Sequence, residues 1–183
     1  RTTRELARVV DAATASPATP TASDAFLPPP GEPADAATSD AVIAALREYV
    51  ACVNAGDELR LLALFTDDGV RAFVAVSPIT GMVLNEYALP PEPRAPADRR
   101  AIVAIWDARR LPDGRVGVFW AIDEPLWPPV GVEIEYHVLV EQNGRWLIDD
   151  FVWYLQDLPQ PPALPAGTPG LGPLPATPAE GGT

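Results

Sequence analysis

The chain is 183 residues long, with a formal net charge of −12 and a sequence pI of about 4.3. This length suits one ordinary domain with appendages. The acidic balance argues against nucleic acid and anionic membrane surfaces as partners, because like charges repel. The single cysteine, Cys52, excludes an internal disulfide and any multi-cysteine metal site, and neither a metal nor a cofactor is predicted.

Proline-rich segments lie at both ends of the chain. Residues 1–38 are rich in Ala, Thr and Pro and predict a flexible linker, since few large apolar side chains offset the entropy of ordering. Residues 158–183 are rich in Pro and Gly and predict a disordered tail. Residues 39–157 are therefore expected to form the single folded domain.

The location of the protein is constrained only weakly by its sequence. No apolar run is long enough to span a membrane. No signal peptide is visible, but the chain begins with Arg1 rather than Met, so this does not argue against export. The long spacers favour a domain tethered outside the cytoplasm, in an exported or cell-envelope location.

Helical periodicity opens the predicted domain. Ser39 or Asp40 is expected to cap a first helix, which ends at Gly56 because glycine adopts the left-handed conformation at low cost. Asp57 is expected to cap a short second helix, which the turn residues 66–69 close. The apolar stripe of the first helix consists of Val42, Leu46, Tyr49, Val50 and Val53.

Strand patterns follow the helices. The run 70–76 is rich in β-forming residues and predicts a strand, whereas the proline-rich run 77–98 predicts a loop with one short strand at 82–88. A first hairpin is predicted at Pro112-Asp113-Gly114, where a type I turn with a bulged glycine pairs the flanking residues. This register predicts the pairs Leu111 with Arg115, Arg109 with Gly117, Asp107 with Phe119, Trp106 with Trp120, and Ala104 with Ile122.

Asn143-Gly144 is the strongest hairpin signal in the chain, because this dipeptide fits the two-residue turns that join antiparallel strands. One face of the resulting hairpin is apolar except for Asp149 and is predicted to face the core. The other face carries three glutamates and is predicted to meet solvent at least in part. The predicted pairs include Gln142 with Arg145, Leu139 with Ile148, Val138 with Asp149, His137 with Asp150, and Tyr136 with Phe151.

Two helices followed by long antiparallel hairpins resemble the nuclear transport factor 2-like, or SnoaL-like, superfamily. The likeness covers residues 40–155 and rests on the helix junction Val50–Asp57, on the following 61–68, and on the closing hairpin Glu141–Ile148. It implies an α+β fold in which a curved antiparallel sheet forms a cone with an apolar cavity, packed on N-terminal helices. Such proteins include isomerases, dehydratases, polyketide cyclases and non-catalytic modules, so the fold leaves the activity open.

Asp149 is the candidate catalytic residue, because it is the one carboxylate on the apolar face of the predicted hairpin. Desolvation there favours the neutral carboxyl group, which suits a general base, with Tyr136 or Tyr49 as hydrogen-bond donor. The alternative is that Asp149 lies at the sheet margin and binds water or a backbone amide. The residues predicted to line a ligand pocket are Tyr49, Trp106, Trp120, Tyr136, Asp149, Phe151 and Trp153.

Other polar residues have simpler interpretations beside the functional ones. His137 opposite Asp150 predicts either an oriented imidazole–carboxylate dyad or a solvated cross-strand pair. One histidine among carboxylates is weak support for zinc. Asp67-Asp68-Gly69 lacks calcium-loop spacing and is interpreted as a turn. Cys52 lies in an apolar run and is expected to be an inert, buried thiol.

Three functions follow from these patterns. The first is a non-catalytic small-molecule-binding or interaction module, favoured by the long spacers and the incomplete catalytic set, with a small apolar ligand. The second is an enzyme of the isomerase, dehydratase or cyclase kind that uses Asp149 as base. The third is a homodimerisation domain that pairs through the mixed sheet face. The apolar residues on that face are Leu139, Trp146, Ile148 and Val152.

Overall fold

The computed structural model of this chain describes residues 3–15, 26–76, 90–126 and 131–153. Within these ranges it is an α+β structure with four α-helices and one open, curved antiparallel sheet of five strands. The helices are α1 (Thr3–Ala15), α2 (Ala36–Ala55), α3 (Glu58–Leu62) and α4 (Asp67–Val76), and Pro96–Asp98 forms a 3-10 turn. The strands are β1 (Glu32–Pro33), β2 (Ala101–Arg110), β3 (Val116–Glu124), β4 (Gly131–Gln142) and β5 (Arg145–Val152), which neighbour one another in chain order.

Parts of the predicted N-terminal linker belong to the folded structure. Helix α1 packs against α4 and buries Leu6 and Val10 in the main core, and β1 pairs with the end of β2. The expected flexibility of residues 1–38 does not hold for these stretches, because packing stabilises an amphipathic helix that is too short to persist in isolation. The predicted tail at 158–183 and the short strand at 82–88 lie outside the described residues.

Helix α2 begins earlier than predicted. Asp35 caps it by accepting the backbone N–H of Thr38 at 2.8 Å, in place of the cap expected at 39–40. The end of the helix is as predicted, with Gly56 left-handed at a φ of 63° and Asp57 capping α3. The predicted stripe of α2 is confirmed, and its buried residues are Val42, Leu46, Tyr49, Val50, Cys52 and Val53.

The strand predicted over 70–76 is wrong, because this run belongs to helix α4. Its start is stabilised by Thr66, whose hydroxyl oxygen accepts the backbone N–H of Gly69 at 3.0 Å. The residues interpreted as a closing turn therefore begin the next helix. Apolar side chains at helical spacing then outweigh the β propensity of the run, and the buried ones are Val70, Phe73 and Val74.

The first hairpin has the predicted turn but a different register beyond it. Gly114 adopts a φ of 87°, and the N–H of Leu111 donates to the carbonyl of Arg115 at 2.8 Å. A bulge next to Asp107, whose φ is 52°, inserts one residue into β2. The predicted pair Arg109 with Gly117 is confirmed, whereas Trp106 pairs with Phe119, Ile105 with Trp120 and Ala104 with Ala121. A second register shift between Ile102 and Ala104 then pairs Ile102 with Ile122.

The second hairpin also starts as predicted and then shifts by one residue. The pairs from Gln142–Arg145 to Leu139–Ile148 are confirmed. A bulge then leaves Asp149 unpaired, because two residues of β5 stand against one of β4. The pairs beyond the bulge are Val138 with Asp150, His137 with Phe151, and Tyr136 with Val152, so the predicted partners of these residues are wrong.

The side of the sheet that the helices bury is the opposite of the one predicted. The helices cover the side that carries Trp120, Leu139 and Ile148, and a smaller aromatic cluster with Phe119 and Tyr136 occupies the opposite side. The face predicted to meet solvent is thus the helix-facing one. Two of the four apolar residues of the proposed dimer face, Leu139 and Ile148, are buried in the core, and Trp146 and Val152 are partly exposed.

Candidate functional site

The predicted pocket residues divide between the two sides of the sheet. Tyr49 and Trp120 lie in the main, helix-facing core. Phe151 joins them, and Trp153 packs against that core, because the bulge at Asp149 reverses the facing of the residues that follow it. Trp106 and Tyr136 belong to the cluster on the opposite side, so the seven residues do not enclose one pocket.

Asp149 lies at the margin of the sheet, and its carboxylate binds two other side chains. One carboxylate oxygen accepts the hydroxyl hydrogen of Thr66 at 2.7 Å, and the other binds the guanidinium of Arg115 at 3.0 Å. Thr66 also joins the same strand by donating its backbone N–H to the carbonyl of Ile148 at 2.9 Å. The predicted apolar setting is wrong. The carboxylate ties the start of α4 and the first hairpin to β5, which is a structural role.

Tyr136 also has a packing role. Its hydroxyl lies directly over Gly117, where an added Cβ would come within 1.7 Å of the phenol oxygen. Its ring centroid is 4.8 Å from that of Phe119 and 5.2 Å from that of Phe26. Burial raises the pKa of Tyr136, and the nearby Asp107 carboxylate adds to this. Nothing in this geometry connects Tyr136 with Asp149.

A buried polar triad occupies the helix-facing side. The indole N–H of Trp120 donates to Oε2 of Glu135 at 3.1 Å, and Nε2 of His137 lies 2.8 Å from the same oxygen. Glu135 and His137 are two residues apart on β4 and share one side of the sheet. Their side chains are 4% and 1% exposed, so both groups are buried in the core.

The 2.8 Å contact with Glu135 constrains the tautomer of the imidazole. When Glu135 is ionised it only accepts hydrogen bonds, so Nε2 of His137 is the donor in this contact. Nδ1 of a neutral ring is then an acceptor. Among the described residues this buried nitrogen has no hydrogen-bond partner. The triad therefore ends in an unsatisfied acceptor inside the core.

Aromatic rings surround the triad. The centroid of the His137 ring is 4.9 Å from that of Trp120, 5.7 Å from that of Phe151 and 6.1 Å from that of Tyr49. Burial raises the pKa of Tyr49 to about 12, and the charge of Glu135 contributes to the rise. Tyr49 is consequently neutral at physiological pH and keeps its hydroxyl hydrogen.

Arg100 connects Tyr49 to a buried ion-pair network. Its Nη1 donates to the Tyr49 hydroxyl oxygen at 3.2 Å, and its Nε forms an ion pair with Glu124. Glu124 is fully buried and also binds Arg94, at 3.1 Å. The end of α2 positions Arg100, because the Asn54 amide exchanges two hydrogen bonds with the Arg100 backbone, at 2.8 and 2.9 Å. The helix junction thus places a guanidinium beside the buried tyrosine.

Two further carboxylates complete this polar end of the core. Glu133 lies opposite Ile122 on the helix-facing side, and its pKa is raised to about 7 by burial and by the charge of Glu135. Burial also raises the pKa of Glu58 at the start of α3. The Oε2 atom of Glu58 is buried and has no hydrogen-bond partner among the described residues.

The sequence contains a signal for this site. Glu133, Glu135 and His137 alternate along β4 and therefore share one face. The charge of that face predicts contact with solvent, whereas the structure buries Glu135 and His137 under the helices. The predicted dyad of His137 with Asp150 is wrong, because Asp150 lies opposite Val138 and the partner of His137 is Glu135 on the same strand. Arg100 and Glu58 carried no pattern that linked them to the strand.

The remaining features are consistent with this assignment of the site. Cys52 is buried, and burial raises the pKa of its thiol to about 11, which keeps it protonated. Within the described ranges, no three or more His, Cys, Asp and Glu residues are grouped to hold a metal ion. No described helix has both the length and the hydropathy to cross a membrane.

Comparisons with protein-family models, curated proteins and solved structures find no match to this chain.

Proposed function

We propose that this chain is a small-molecule-binding module of the nuclear transport factor 2-like kind, with its ligand held against the helix-facing side of β4. The observation that carries this proposal is the unpartnered Nδ1 of His137 inside the core. Leaving a buried acceptor unpaired costs about 1–3 kcal/mol. A ligand with a hydrogen-bond donor would recover that cost, whereas a purely structural core would be better served by an apolar side chain.

The fold supports the proposal. The helices precede the four long strands β2 to β5, Gly56 and Asp57 join α2 to α3 as expected, and both predicted hairpin turns are present. A cone-shaped sheet with its ligand inside would place the contacts on the side that the helices cover. Tethering outside the cytoplasm by the flanking segments remains part of the same proposal.

The proposed contact residues differ from those expected from sequence. Tyr49, Trp120 and Phe151 remain, because they surround the His137 ring. Glu135 and His137 join them as the polar groups that orient a ligand. Trp106, Tyr136 and Asp149 are removed, because the first two lie on the other side of the sheet and the third is bound to Thr66 and Arg115.

A fragment screen read by NMR tests this proposal. The full chain is labelled with ¹⁵N, and a library with neutral, cationic and anionic members is added. We expect the hits to shift the indole N–H signal of Trp120 and the ring signals of His137. The Trp106 indole, on the opposite side of the sheet, is the internal control. Hits that move Trp106 but never Trp120, or a library without hits, would overturn the proposal.

The geometry also favours a second candidate, an enzyme of the isomerase, dehydratase or cyclase kind in which His137 is the general base. The 2.8 Å contact between Glu135 and His137 orients the imidazole and supports positive charge on it, while Nδ1 carries the free lone pair. Neutral Tyr49, polarised by Arg100, is a hydrogen-bond donor on the same side. In this role His137 replaces Asp149 as the residue that accepts the proton.

Hydrogen–deuterium exchange distinguishes the two candidates. An enzyme would exchange the C–H α to the carbonyl of apolar ketones in D₂O, as followed by ¹H NMR. His137→Gln should abolish this exchange and Asp149→Asn should preserve it. Ligand binding at Trp120 without exchange in any ketone favours the binding module. Exchange that is lost in Asp149→Asn but retained in His137→Gln would identify Asp149 as the general base and exclude His137.

A further inference from the structure

We infer that the ligand of this site is a small organic cation with N–H donors, such as a protonated amine or an amidinium. The inference rests on the proposed function and specifies its ligand class. It is carried by the charges of the buried polar end, by the two acceptor atoms there that have no partner, and by the aromatic rings beside them.

The charges at this end of the core do not balance. Glu124 is bound by both Arg94 and Arg100, so the two guanidiniums are already paired. Glu133, Glu135 and Glu58 stand in the same electrostatic environment as Arg100 and Tyr49, with no further described arginine among the charges that act on them. When Glu133 and Glu58 are ionised, carboxylates therefore outnumber guanidiniums at this end of the core. An anionic ligand would add to this excess, whereas a cation would remove it.

The two acceptor atoms are Nδ1 of His137 on β4 and Oε2 of Glu58 at the start of α3. Both accept hydrogen bonds when the imidazole is neutral and the Glu58 carboxylate is ionised. A carboxylate or phosphate ligand has no donor to offer them, and an apolar ligand leaves both unsatisfied. An ammonium or amidinium group is a donor in several directions and carries the required charge.

The aromatic rings beside His137 also favour a cationic ligand. Tyr49 and Trp120 lie with their centroids 5.5 Å apart, beside His137. The faces of such rings attract organic cations, and the attraction grows when water is excluded. Within the described ranges, no acidic or histidine group is compact enough to chelate a metal ion. An organic cation, whose charge is spread over a larger volume, fits dispersed acceptors better.

The titration of Glu133 makes this inference testable by pH. Its pKa is raised to about 7 by burial and by the charges of Glu135 on β4 and Glu124 on β3, while Arg100, just before β2, lowers it. At the start of α3, Glu58 also has a raised pKa because of burial. A bound cation favours the ionised carboxylates. Cation affinity should therefore rise as the pH increases through about 7, with the release of protons on binding.

Three probes of matched shape and different charge test the inference. Benzamidinium is a cation, benzamide is neutral and benzoate is an anion. Isothermal titration calorimetry with the full chain, at constant ionic strength, should give measurable binding for benzamidinium, at least about tenfold weaker binding for benzamide, and none for benzoate. The benzamidinium affinity should fall by about tenfold from pH 8 to pH 6, because Glu133 becomes protonated over that range.

Variants on the same strand provide the control. Glu133→Gln should weaken benzamidinium binding and remove most of its pH dependence. Glu141→Gln, an exposed site near the Asn-Gly turn, should leave both unchanged. Equal changes in the two variants would indicate a general effect of net charge and overturn the assignment to this site.

The other outcomes separate this inference from the proposed function. If benzamide or benzoate binds as tightly as benzamidinium and shifts the Trp120 indole signal, the binding function stands and the cation inference is wrong. If benzamidinium binds without shifting that signal, or does not bind, the cation inference also falls. If no fragment in the library shifts the signals of Trp120 or His137, both the proposed function and the cation inference are wrong.

Discussion

Glu135 and His137, two residues apart on β4, form a hydrogen-bonded pair at 2.8 Å on the side of the sheet that the helices bury. A charged strand face that ordinarily meets water is thereby built into the core. Such an arrangement is costly unless its polar atoms are paired, and Oε2 of Glu135 pairs with both the Trp120 indole and Nε2 of His137. The predictions below test this arrangement and the contacts that support it.

Removal of the Glu135 carboxylate should be strongly destabilising. Glu135→Ala leaves the N–H groups of Trp120 and His137 without an acceptor in the core, and we expect a loss of about 3 kcal/mol in the free energy of unfolding. Glu135→Gln keeps one acceptor oxygen and should lose about 1 kcal/mol. Urea denaturation measures both, with Glu141→Ala as the exposed control. Losses below about 0.5 kcal/mol in all three would show that the triad is not a structural unit.

Gly56 is predicted to be intolerant of any side chain. Its φ is 63°, and an added Cβ would lie 2.2 Å from the carbonyl oxygen of Glu92, which is backbone and cannot move aside cheaply. Gly56→Ala should therefore cost about 2 kcal/mol or more. Gly114→Ala is the matched control, because that glycine has a φ of 87° but open space around it, so only the backbone strain of about 1 kcal/mol applies.

The comparison of the two glycine variants is made by chemical denaturation under identical conditions. A larger loss in Gly56→Ala supports the close packing of the segment near Glu92 against the end of α2. Equal losses would mean that this segment moves away at little cost, contrary to its hydrogen bond from the N–H of Arg94 to the carbonyl of Asn54.

Asp149 is predicted to contribute to stability and not to binding. Asp149→Ala removes acceptors for Thr66 and Arg115, and we expect a loss of about 2 kcal/mol in the free energy of unfolding. A double-mutant cycle with Thr66→Val should give a coupling of about 1 kcal/mol, since the two side chains share a bond of 2.7 Å. Fragment-induced shifts at Trp120 should remain in the folded variant. Unchanged stability with lost binding would contradict this role.

The pH dependence of the free energy of unfolding should report the titration of the Glu133 carboxyl group. Its pKa in the folded protein, about 7, lies above the ordinary value of 4.5, so the folded state binds the proton more tightly than the unfolded state. The resulting stabilisation is fully present below about pH 4.5 and is lost as the pH rises through about 7. Half-exposure of this side chain reduces the size of the effect, because solvent screens its charge.

Glu133→Gln isolates this contribution. At pH 8 the variant should have a higher melting temperature than the parent protein, because it lacks the partly buried charge. At pH 5 the two should melt alike. Differential scanning calorimetry at several pH values between these limits checks the prediction, with Glu141→Gln as the matched surface variant. A constant difference across the range would show that Glu133 does not titrate near neutrality in the folded state.

Local signals in the sequence specified much of the fold. The Asn-Gly dipeptide set the second hairpin, Pro112-Asp113-Gly114 set the first, and Gly56 and Asp57 marked the boundary between two helices. Each depends on backbone preferences within a few residues, which are readable without knowledge of the fold. The strand expected over 70–76 was wrong because packing against the core, a non-local effect, favours a helix there.

By itself, the amino-acid sequence determined the α+β class, the turns and the apolar stripe of α2, because these follow from local geometry and side-chain spacing. Tertiary structure decided which side of β4 is buried, because the helices pack on the side that carries Trp120 and Leu139. The bulge at Asp149 then turns Phe151 to that same side, opposite His137. The alternation of residues along a strand assigns them to two faces but does not indicate which face is buried. Only the partners across the sheet and the helices above it determine which face excludes water.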